Sequence, residues 1–263
     1  SINCTDVASY DGSVFNSARK DTRNIVMTIR FENGLGYDVE ELRHNIYKYF
    51  PVKQKLKMEV VSDKRTSYTY GYVEDVNIDQ FSRNEFAQIS IICPDPFFYS
   101  EKNIVTTFHG VEDLFEFPFS NESLTEDLIE FGRIRNEVMR TIYYDGDSDV
   151  GIRINIHFLG IVRNITIFNT TKREILKIDT EKIKTYTGKE ISAGDEILLS
   201  TLKGAKSIYL LREGVYINIL NCLDKNAVWF QLSKGDNVFV YTAEYGVDDI
   251  NFTVEHQIAY EGV

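Results

Sequence analysis

Apolar residues recur at every second position along much of this 263-residue chain, and this alternation restricts the fold more than any other feature. In one run the apolar positions are Ile152, Ile154, Ile156 and Phe158. The polar positions between them are Arg153, Asn155 and His157. A period of two places successive side chains on opposite faces of a sheet. Turn-forming stretches separate such runs at Asp145-Gly146, Thr187-Gly188, Ala193-Gly194-Asp195, Lys203-Gly204, Glu213-Gly214, Lys234-Gly235-Asp236 and Tyr245-Gly246. The C-terminal half is therefore predicted to be an all-β antiparallel sandwich without a helix.

The N-terminal half combines strand patterns with one helical pattern. Asp38 precedes apolar residues at helical spacing, Glu41 follows three residues later as in a capping box, and Pro51 ends the pattern. Alternating residues from Lys55 to Val76 on both sides of a polar turn predict a long hairpin. We expect one helix between Asp38 and Pro51, the hairpin, and a further strand that ends at Cys93.

The segment CPDPFFYS, residues 93–100, interrupts these patterns. Pro94, Pro96 and Pro118 are three of the four prolines, and proline cannot donate a hydrogen bond to a strand ladder. We predict a domain boundary near residue 102, which gives an N-terminal domain 1–102 and a C-terminal domain 103–263. The predicted interdomain joint consists of Pro94, Asp95, Pro96, Phe97, Phe98 and Tyr99.

Composition excludes several classes of protein. The formal net charge of -11 disfavours binding to DNA phosphates, which requires a basic surface. No run of apolar residues is long enough for a membrane helix, so we expect no membrane anchor. Three widely spaced cysteines favour neither a disulfide framework nor a metal cluster.

The sequence contains no recognised catalytic motif, such as a nucleophile elbow, a zinc-protease helix or a phosphate loop. Cys93 continues the apolar side of a strand and is interpreted as a buried structural residue, with a nucleophile as the alternative. Asp145, Asp147 and Asp149 have the spacing of the start of a calcium loop, but Val150 stands where that loop needs glycine. We predict no enzymatic activity, no cofactor and no metal site.

One aromatic residue suggests a binding function as an alternative to a structural role. Trp229 is the single tryptophan of the chain. It could stack on a sugar ring if exposed, although Val228, Phe230 and Leu232 alternate like a core strand. The alternative to a structural role is therefore a carbohydrate-binding module that recognises host cell-wall sugars.

Three N-terminal stretches together resemble the distal tail protein family of long-tailed bacteriophages and prophages. They are DGS followed by the strand IVMTIRF, then YGYVEDVNI, then ISIICPDPFFYS. In the C-terminal half, AGDEILLSTLKGAKSIYL, LNCLDKNAVWFQLSKGDNVFVYTA and the closing YEGV resemble the second domain of that family. Members of that family usually carry an additional segment before the DGS stretch, whereas this chain begins only ten residues ahead of it. The first strand of the N-terminal domain is therefore not predicted.

The resemblance implies a mainly-β fold: an N-terminal β-sandwich with one helix and a long hairpin, and a C-terminal galectin-like antiparallel β-sandwich. It implies a structural virion protein, without catalysis, that forms a homo-oligomeric ring, commonly a hexamer, at the distal end of the tail. Its partners would be the tail tube protein, a tail-tip protein and a receptor-binding or other baseplate protein, with assembly in the cytoplasm of the bacterial host.

Two hypotheses follow from joining the resemblance to the residues. The hairpin suits subunit contacts, with Lys55, Lys57, Tyr68, Tyr70 and Tyr72 as candidate ring-interface residues. Carboxylates of this acidic chain would line the lumen of the ring and repel the phosphates of the genome as it passes.

Overall fold

The computed structural model describes residues 2–6, 11–31, 38–79, 85–112, 133–136 and 138–262. The fold is mainly β, as predicted, with several antiparallel sheets. It divides into two compact units: unit 1 consists of Ser1–Glu101 with Tyr260–Val263, and unit 2 of Lys102–Ala259. We predicted that the last four residues belong to the C-terminal domain, but in the structure they group with unit 1. Pro118 lies outside the described residues.

The described residues of unit 1 form one sheet, one helix and a separate two-stranded ribbon. Its strands are β1 Ile2–Asp6, β2 Ser13–Ala18, β3 Arg23–Arg30, β4 Lys55–Val61, β5 Thr66–Asp79, β6 Phe86–Cys93 and β7 Phe98–Ser100, and its helix is α1 Val39–Tyr49. The helix begins where predicted, because the Asp38 carboxylate accepts a hydrogen bond from the Glu40 N–H at 3.4 Å. Ile46 anchors it in a core cluster that includes Val73, Ile89 and Ile91.

The long strand β5 organises the sheet of unit 1. Tyr72 pairs with Lys55 on one side and with Ile92 on the other, and Tyr68 pairs with β4 on one side and with Tyr99 on the other. Strands β6 and β7 therefore lie one after the other along the same edge of β5, opposite β4. The CPDPFFYS segment interrupts this shared edge, and pairing with β5 resumes after it.

Unit 2 is built on a six-stranded and a four-stranded antiparallel sheet. Its strands are β8 Ile104–Thr107, β9 His109–Glu112, β10 Arg133–Asn136, β11 Met139–Tyr144, β12 Val150–Gly151, β13 Arg153–Phe158, β14 Arg163–Asn169, β15 Glu174–Ile178, β16 Glu196–Ser200, β17 Ser207–Arg212, β18 Val215–Asn218, β19 Gln231–Leu232, β20 Gly235–Tyr245 and β21 Ile250–His256. The closing strand β22, Ala259–Tyr260, belongs to the sheet of unit 1. The larger sheet has the order β18-β17-β16-β13-β21-β8, and the smaller one β11-β20-β14-β15.

The two sheets of unit 2 pack face to face. Tyr241 of β20 stacks on Phe252 of β21 with ring centroids 4.9 Å apart, and Ile154, Ile156 and Phe239 are also fully buried. The alternating runs thus pack as an antiparallel sandwich, in agreement with the sequence.

A helix in unit 2 was not predicted. Helix α2 spans Thr180–Thr187 between β15 and β16. Its start is capped by Asp179, whose carboxylate accepts from the Lys182 N–H at 3.0 Å, and Gly188 ends it in the left-handed conformation. The expectation of no helix was wrong because Thr187-Gly188 ends a helix and does not join two strands. No helix of the described residues is long and apolar enough to cross a bilayer.

Candidate assembly surfaces

The CPDPFFYS segment forms a turn held by one carboxylate. Oδ1 of Asp95 accepts a hydrogen bond from the Phe97 N–H at 3.3 Å, and Oδ2 accepts from the Tyr99 hydroxyl at 2.7 Å. Two prolines fix the backbone around Asp95. The turn is thus ordered by its own side chains and returns the chain to the edge of β5. Its role as an interdomain joint stays a prediction.

The aromatic residues of this segment differ in burial. Phe98 is only 3% exposed, and the Arg23 guanidinium lies 5.1 Å from its ring centroid. Phe97 is half-buried, with the Lys20 ammonium 4.9 Å from its ring centroid. Phe98 is therefore a packing residue of unit 1, whereas Phe97 lies between a cation and solvent.

Cys93 is a buried structural cysteine, as interpreted from the sequence. It is fully buried in the core of unit 1, and this burial raises the pKa of the Cys93 thiol. The absence of a side chain at Gly71 makes room for it, because a Cβ there would lie 2.5 Å from Ile91 and 3.0 Å from the Cys93 sulfur. A raised pKa disfavours the thiolate, so a nucleophilic role does not fit this environment.

The candidate interface residues of the hairpin lie on one face. Cross-strand partners join Lys55 to Tyr72 and Lys57 to Tyr70, and such partners share a face. The Lys55 ammonium lies 4.4 Å from the Tyr70 ring centroid, and that of Lys57 lies 4.8 Å from the Tyr68 ring centroid. We call these five residues the lysine–tyrosine face. Its members come together as the sequence suggested, but its role in assembly stays a prediction.

The ribbon of β1 and β2 presents apolar side chains to solvent. Its described residues pair only with each other, and all of them are exposed. Ile2 is 73% exposed and Phe15 is 62% exposed. Because an isolated two-stranded hairpin is marginally stable in water, this ribbon is expected to gain stability when a partner covers it.

The end of the chain is held by basic side chains of unit 1. The Arg65 guanidinium stacks 4.3 Å from the Tyr260 ring centroid and donates a hydrogen bond to the Gly262 carbonyl at 2.9 Å. Lys20 pairs with the Glu261 carboxylate. We call this group the C-terminal clasp. Sequence reasoning missed it, because the closing YEGV has no local pattern that indicates its partners.

A second anchor missed by the sequence lies inside unit 2. The Arg212 guanidinium binds Asp195 through two hydrogen bonds, Nε to Oδ1 at 2.8 Å and Nη2 to Oδ2 at 2.6 Å. It also donates to the Glu190 carbonyl at 2.8 Å, and the side-chain hydrogen bond to Asp195 raises the pKa of Arg212. This pair fixes the loop between α2 and β16. The sequence marked Asp195 only as part of a turn.

Trp229 lies at a half-buried position, and the Lys206 ammonium is 5.9 Å from its ring centroid. Phe230 and Leu232 are buried as expected, but Val228 is 39% exposed, so the predicted core strand is shorter than expected. The strand there includes only Gln231–Leu232, because a loop hydrogen-bonded to β15 precedes it. Sugar stacking on Trp229 stays a prediction.

The acidic turn Asp145–Asp149 is used for ion pairs. One Asp149 oxygen contacts the Lys172 ammonium and the Ser233 hydroxyl, both at 3.0 Å. Asp145 lies 3.9 Å from the Lys234 ammonium. Within the described part of the chain, no three His, Cys, Asp or Glu side chains converge on a point where a metal could bind. The carboxylates of Asp145 and Asp149 thus contact separate partners.

The fold is shared with a solved phage protein. The crystal structure of the SPP1 Dit protein, described as a paradigm of the hub adsorption apparatus in phages that infect Gram-positive bacteria, superimposes with a TM-score of 0.65. The alignment covers 98% of this chain and 87% of that chain at 14% sequence identity. The chain has a Dit-like fold. The Dit-like fold extends through both units, and it confirms the resemblance in the sequence at the level of the fold.

Two further structures align more weakly. They are the phage p2 baseplate in its activated conformation with Sr and with Ca. Their TM-scores are 0.44 and 0.42, at 11% and 10% identity over 97% of this chain and 87% of those chains. No family model matches the sequence. No curated protein matches it either.

Proposed function

We propose that this chain is a structural hub protein at the distal end of a phage tail. The observation that carries the proposal is the Dit-like fold, which aligns over 98% of the chain with a protein described as a hub of an adsorption apparatus. In this role the chain links the tail tube protein to a tail-tip protein and to a receptor-binding or other baseplate protein. Its place is the virion tail, after assembly in the host cytoplasm.

The finer proposal is a homo-oligomeric ring, with six subunits as the expected number. Exposed surfaces of unit 1 support it. Strand β4 pairs with β5 on one side, and the lysine–tyrosine face and the exposed Phe15 present contact groups to solvent. Natural proteins cover such edges and apolar residues, and identical subunits in a closed ring do so without leaving a free edge.

The proposal includes no catalytic step. Cys93 is buried with a raised thiol pKa, and Asp145 and Asp149 of the acidic turn contact separate partners. The net charge of -11 is compatible with a lumen that repels the genome as it passes, so we do not propose sequence-specific nucleic-acid binding.

Negative-stain electron microscopy and light scattering of the purified chain test this proposal. We expect rings of uniform diameter and one oligomeric mass. The double substitution Lys55→Glu and Lys57→Glu reverses two charges of the lysine–tyrosine face and removes two cation–π contacts. It is expected to shift the scattering mass toward the monomer.

The matched control reverses two exposed lysines of unit 2, Lys203→Glu and Lys225→Glu, which changes the net charge equally. It should leave the oligomer intact. A monomer at all concentrations for the unmodified chain would contradict ring formation. An intact ring in the Lys55/Lys57 variant would contradict the role of the lysine–tyrosine face but not ring formation.

A further inference from the structure

The outer face of the four-stranded sheet carries a row of apolar side chains. Strand register places Val240 of β20 opposite Phe168 of β14, and Phe168 opposite Ile175 of β15. Met139 of β11 continues the row on the other side of Val240. A residue next to each of them on β14, β15 and β20 is buried, so the row lies on the face turned away from the core. Met139 and Ile175, at the two ends, are 60% and 42% exposed, and an apolar surface of this kind marks a contact with another protein.

The row ends at a groove beside β15, the last strand of this sheet. A loop of residues 223–228 follows the edge of the strand: the Ile175 carbonyl accepts a hydrogen bond from the Val228 N–H at 3.2 Å, and the Lys177 carbonyl accepts from the Asp224 N–H at 3.1 Å. Strand and loop together line a groove of about 380 Å³. We call it the β15 groove. Because the loop occupies these carbonyls, a partner must be recognised by side chains and not by strand addition.

Two cations flank the apolar centre of the β15 groove. Arg173 and Lys177 lie two positions before and two positions after Ile175, and all three are exposed lining residues. In the described part of the chain, neither Arg173 nor Lys177 forms an ion pair, although the chain has a net charge of -11. Unpaired cations at a surface attract an acidic partner. The groove thus presents an apolar side chain between two available positive charges.

The two carboxylates that line the β15 groove are held by the chain itself. Oδ1 of Asp224 accepts a hydrogen bond from the Asn226 N–H at 2.8 Å. Oε2 of Glu174 is buried, and burial raises the pKa of this carboxyl group. Neither carboxylate forms an ion pair with a cation of the groove. Arg173 and Lys177 therefore stay available to the carboxylates of another protein.

The backbone of Arg173 supports a role outside the fold. Its φ of 57° lies in the left-handed region, which few residues other than glycine adopt. Within the described residues no ion pair of its side chain offsets this strain. A strained backbone that carries an unpaired charged side chain is typical of a functional position.

We propose that the β15 groove is a docking site for an extended segment of a second protein, in which an apolar side chain lies between two carboxylates. The apolar side chain packs on Ile175 and Val228, and the carboxylates meet Arg173 and Lys177. Alternate residues of an extended chain are roughly 6.5 Å apart, so the matching pattern is acidic-x-apolar-x-acidic. The proposal goes beyond the hub role, because it assigns a surface and a recognition pattern. It does not depend on ring formation, since all these residues belong to unit 2.

Selection from a yeast-displayed library of random dodecapeptides with the fluorescently tagged full chain tests the β15 groove. Peptides that bind other surfaces are first removed with the double variant Arg173→Gly and Lys177→Glu. We expect the enriched peptides to share an apolar residue with aspartate or glutamate two positions before and after it. A synthetic peptide with the shared sequence is then titrated by fluorescence anisotropy. Its affinity should fall as the salt concentration rises, because charges at an exposed surface are screened.

Three single variants separate the contributions of the groove. Lys177→Glu reverses one cation, and Ile175→Thr removes the apolar centre but keeps a β-branched side chain. Each should weaken binding of the synthetic peptide at least about tenfold. Arg173→Gly should weaken binding by a similar factor without lowering the melting temperature, because glycine adopts this φ without strain. A residue needed only for the fold would lower the melting temperature as well.

The matched control is Lys203→Glu, which reverses an exposed lysine between β16 and β17 and changes the net charge as Lys177→Glu does. It should bind the peptide like the wild type. Calorimetric melting shows whether each variant is folded, and Lys177→Gln replaces Lys177→Glu if that variant is not.

Three results would overturn the proposal. They are a library without enriched peptides, a shared sequence without carboxylates, and unchanged binding by folded Lys177→Glu. A fall in the light-scattering mass of Lys177→Glu would identify a second copy of this chain as the occupant and would equally overturn it. None of the first three results bears on the hub role, because the ring is tested separately with the Lys55/Lys57 variant.

Discussion

Replacing Arg212 with methionine should destabilise unit 2 far more than the loss of an ordinary surface ion pair. The Arg212 and Asp195 side chains are 9% and 5% exposed, and two hydrogen bonds of 2.8 and 2.6 Å join them. The substitution leaves the Asp195 carboxylate buried with only the Ser192 N–H, at 3.0 Å, among its described donors. Breaking a buried pair in this way costs about 3–5 kcal/mol.

The assay uses the single tryptophan, Trp229, which lies in unit 2. Its fluorescence during urea unfolding reports the free energy of unfolding of that unit. For a domain of this size the expected loss corresponds to a fall in melting temperature of roughly 6–20 °C. The double substitution Arg212→Met with Asp195→Leu should recover part of the loss, because no unpaired charge then remains buried.

The control is Lys189→Met, which removes the partner of Glu213. That pair is exposed, with side-chain exposures of 69% and 77% and an N–O distance of 3.5 Å, so its loss should cost less than about 1 kcal/mol. If Arg212→Met cost no more than this control, the buried pair would not anchor the loop. If the double variant were less stable than Arg212→Met, the unpaired Asp195 carboxylate would not be the cause of the loss.

Three further results are expected. Phe98→Ala should lower the stability of unit 1 by about 3–5 kcal/mol, because Phe98 is buried, and half-buried Phe97→Ala clearly less; equal losses in urea unfolding would contradict the packing described. Burial lowers the pKa of His256 from its ordinary value of 6.5, so the unfolded state binds more protons below that pH and stability should fall as the pH drops below about 6.5. In the His256→Leu variant, the urea midpoint followed by Trp229 fluorescence should lose the part of its pH dependence that comes from His256. An unchanged dependence of the midpoint on pH would contradict this role of His256. Arg65→Ala removes the cation–π contact with Tyr260 and the hydrogen bond to Gly262, and it should speed hydrogen exchange in β22 at least about two- to fivefold; unchanged exchange would mean that Arg65 contributes nothing to the C-terminal clasp.

Local signals in the sequence predicted the elements that depend on neighbouring residues. The helix after Asp38 and the hairpin of β4 and β5 were predicted because a cap, a proline and an alternation all lie within a few residues of the structure they specify. The burial of Cys93 was predicted for the same reason, since its place in the alternation sets the face of the strand to which it belongs.

Helix α2 was not predicted, although local signals for its two ends are present in the sequence. Asp179 and Gly188 mark its two ends, but the helix is only eight residues long and contains β-branched residues that favour strands. Its stability comes from packing of Ile183, which is fully buried, and not from helix propensity. We interpreted the terminating Thr187-Gly188 as a turn between strands and did not use Asp179 as a cap.

By itself the sequence determined which side chains of strongly alternating strands such as β13 face the core, because a period of two depends only on the chain itself. It did not determine which strands become neighbours, since alternating strands are interchangeable until packing selects the partners. Only the tertiary structure brought β7 back to the edge of β5 after the CPDPFFYS turn, and only it brought Arg212 to Asp195.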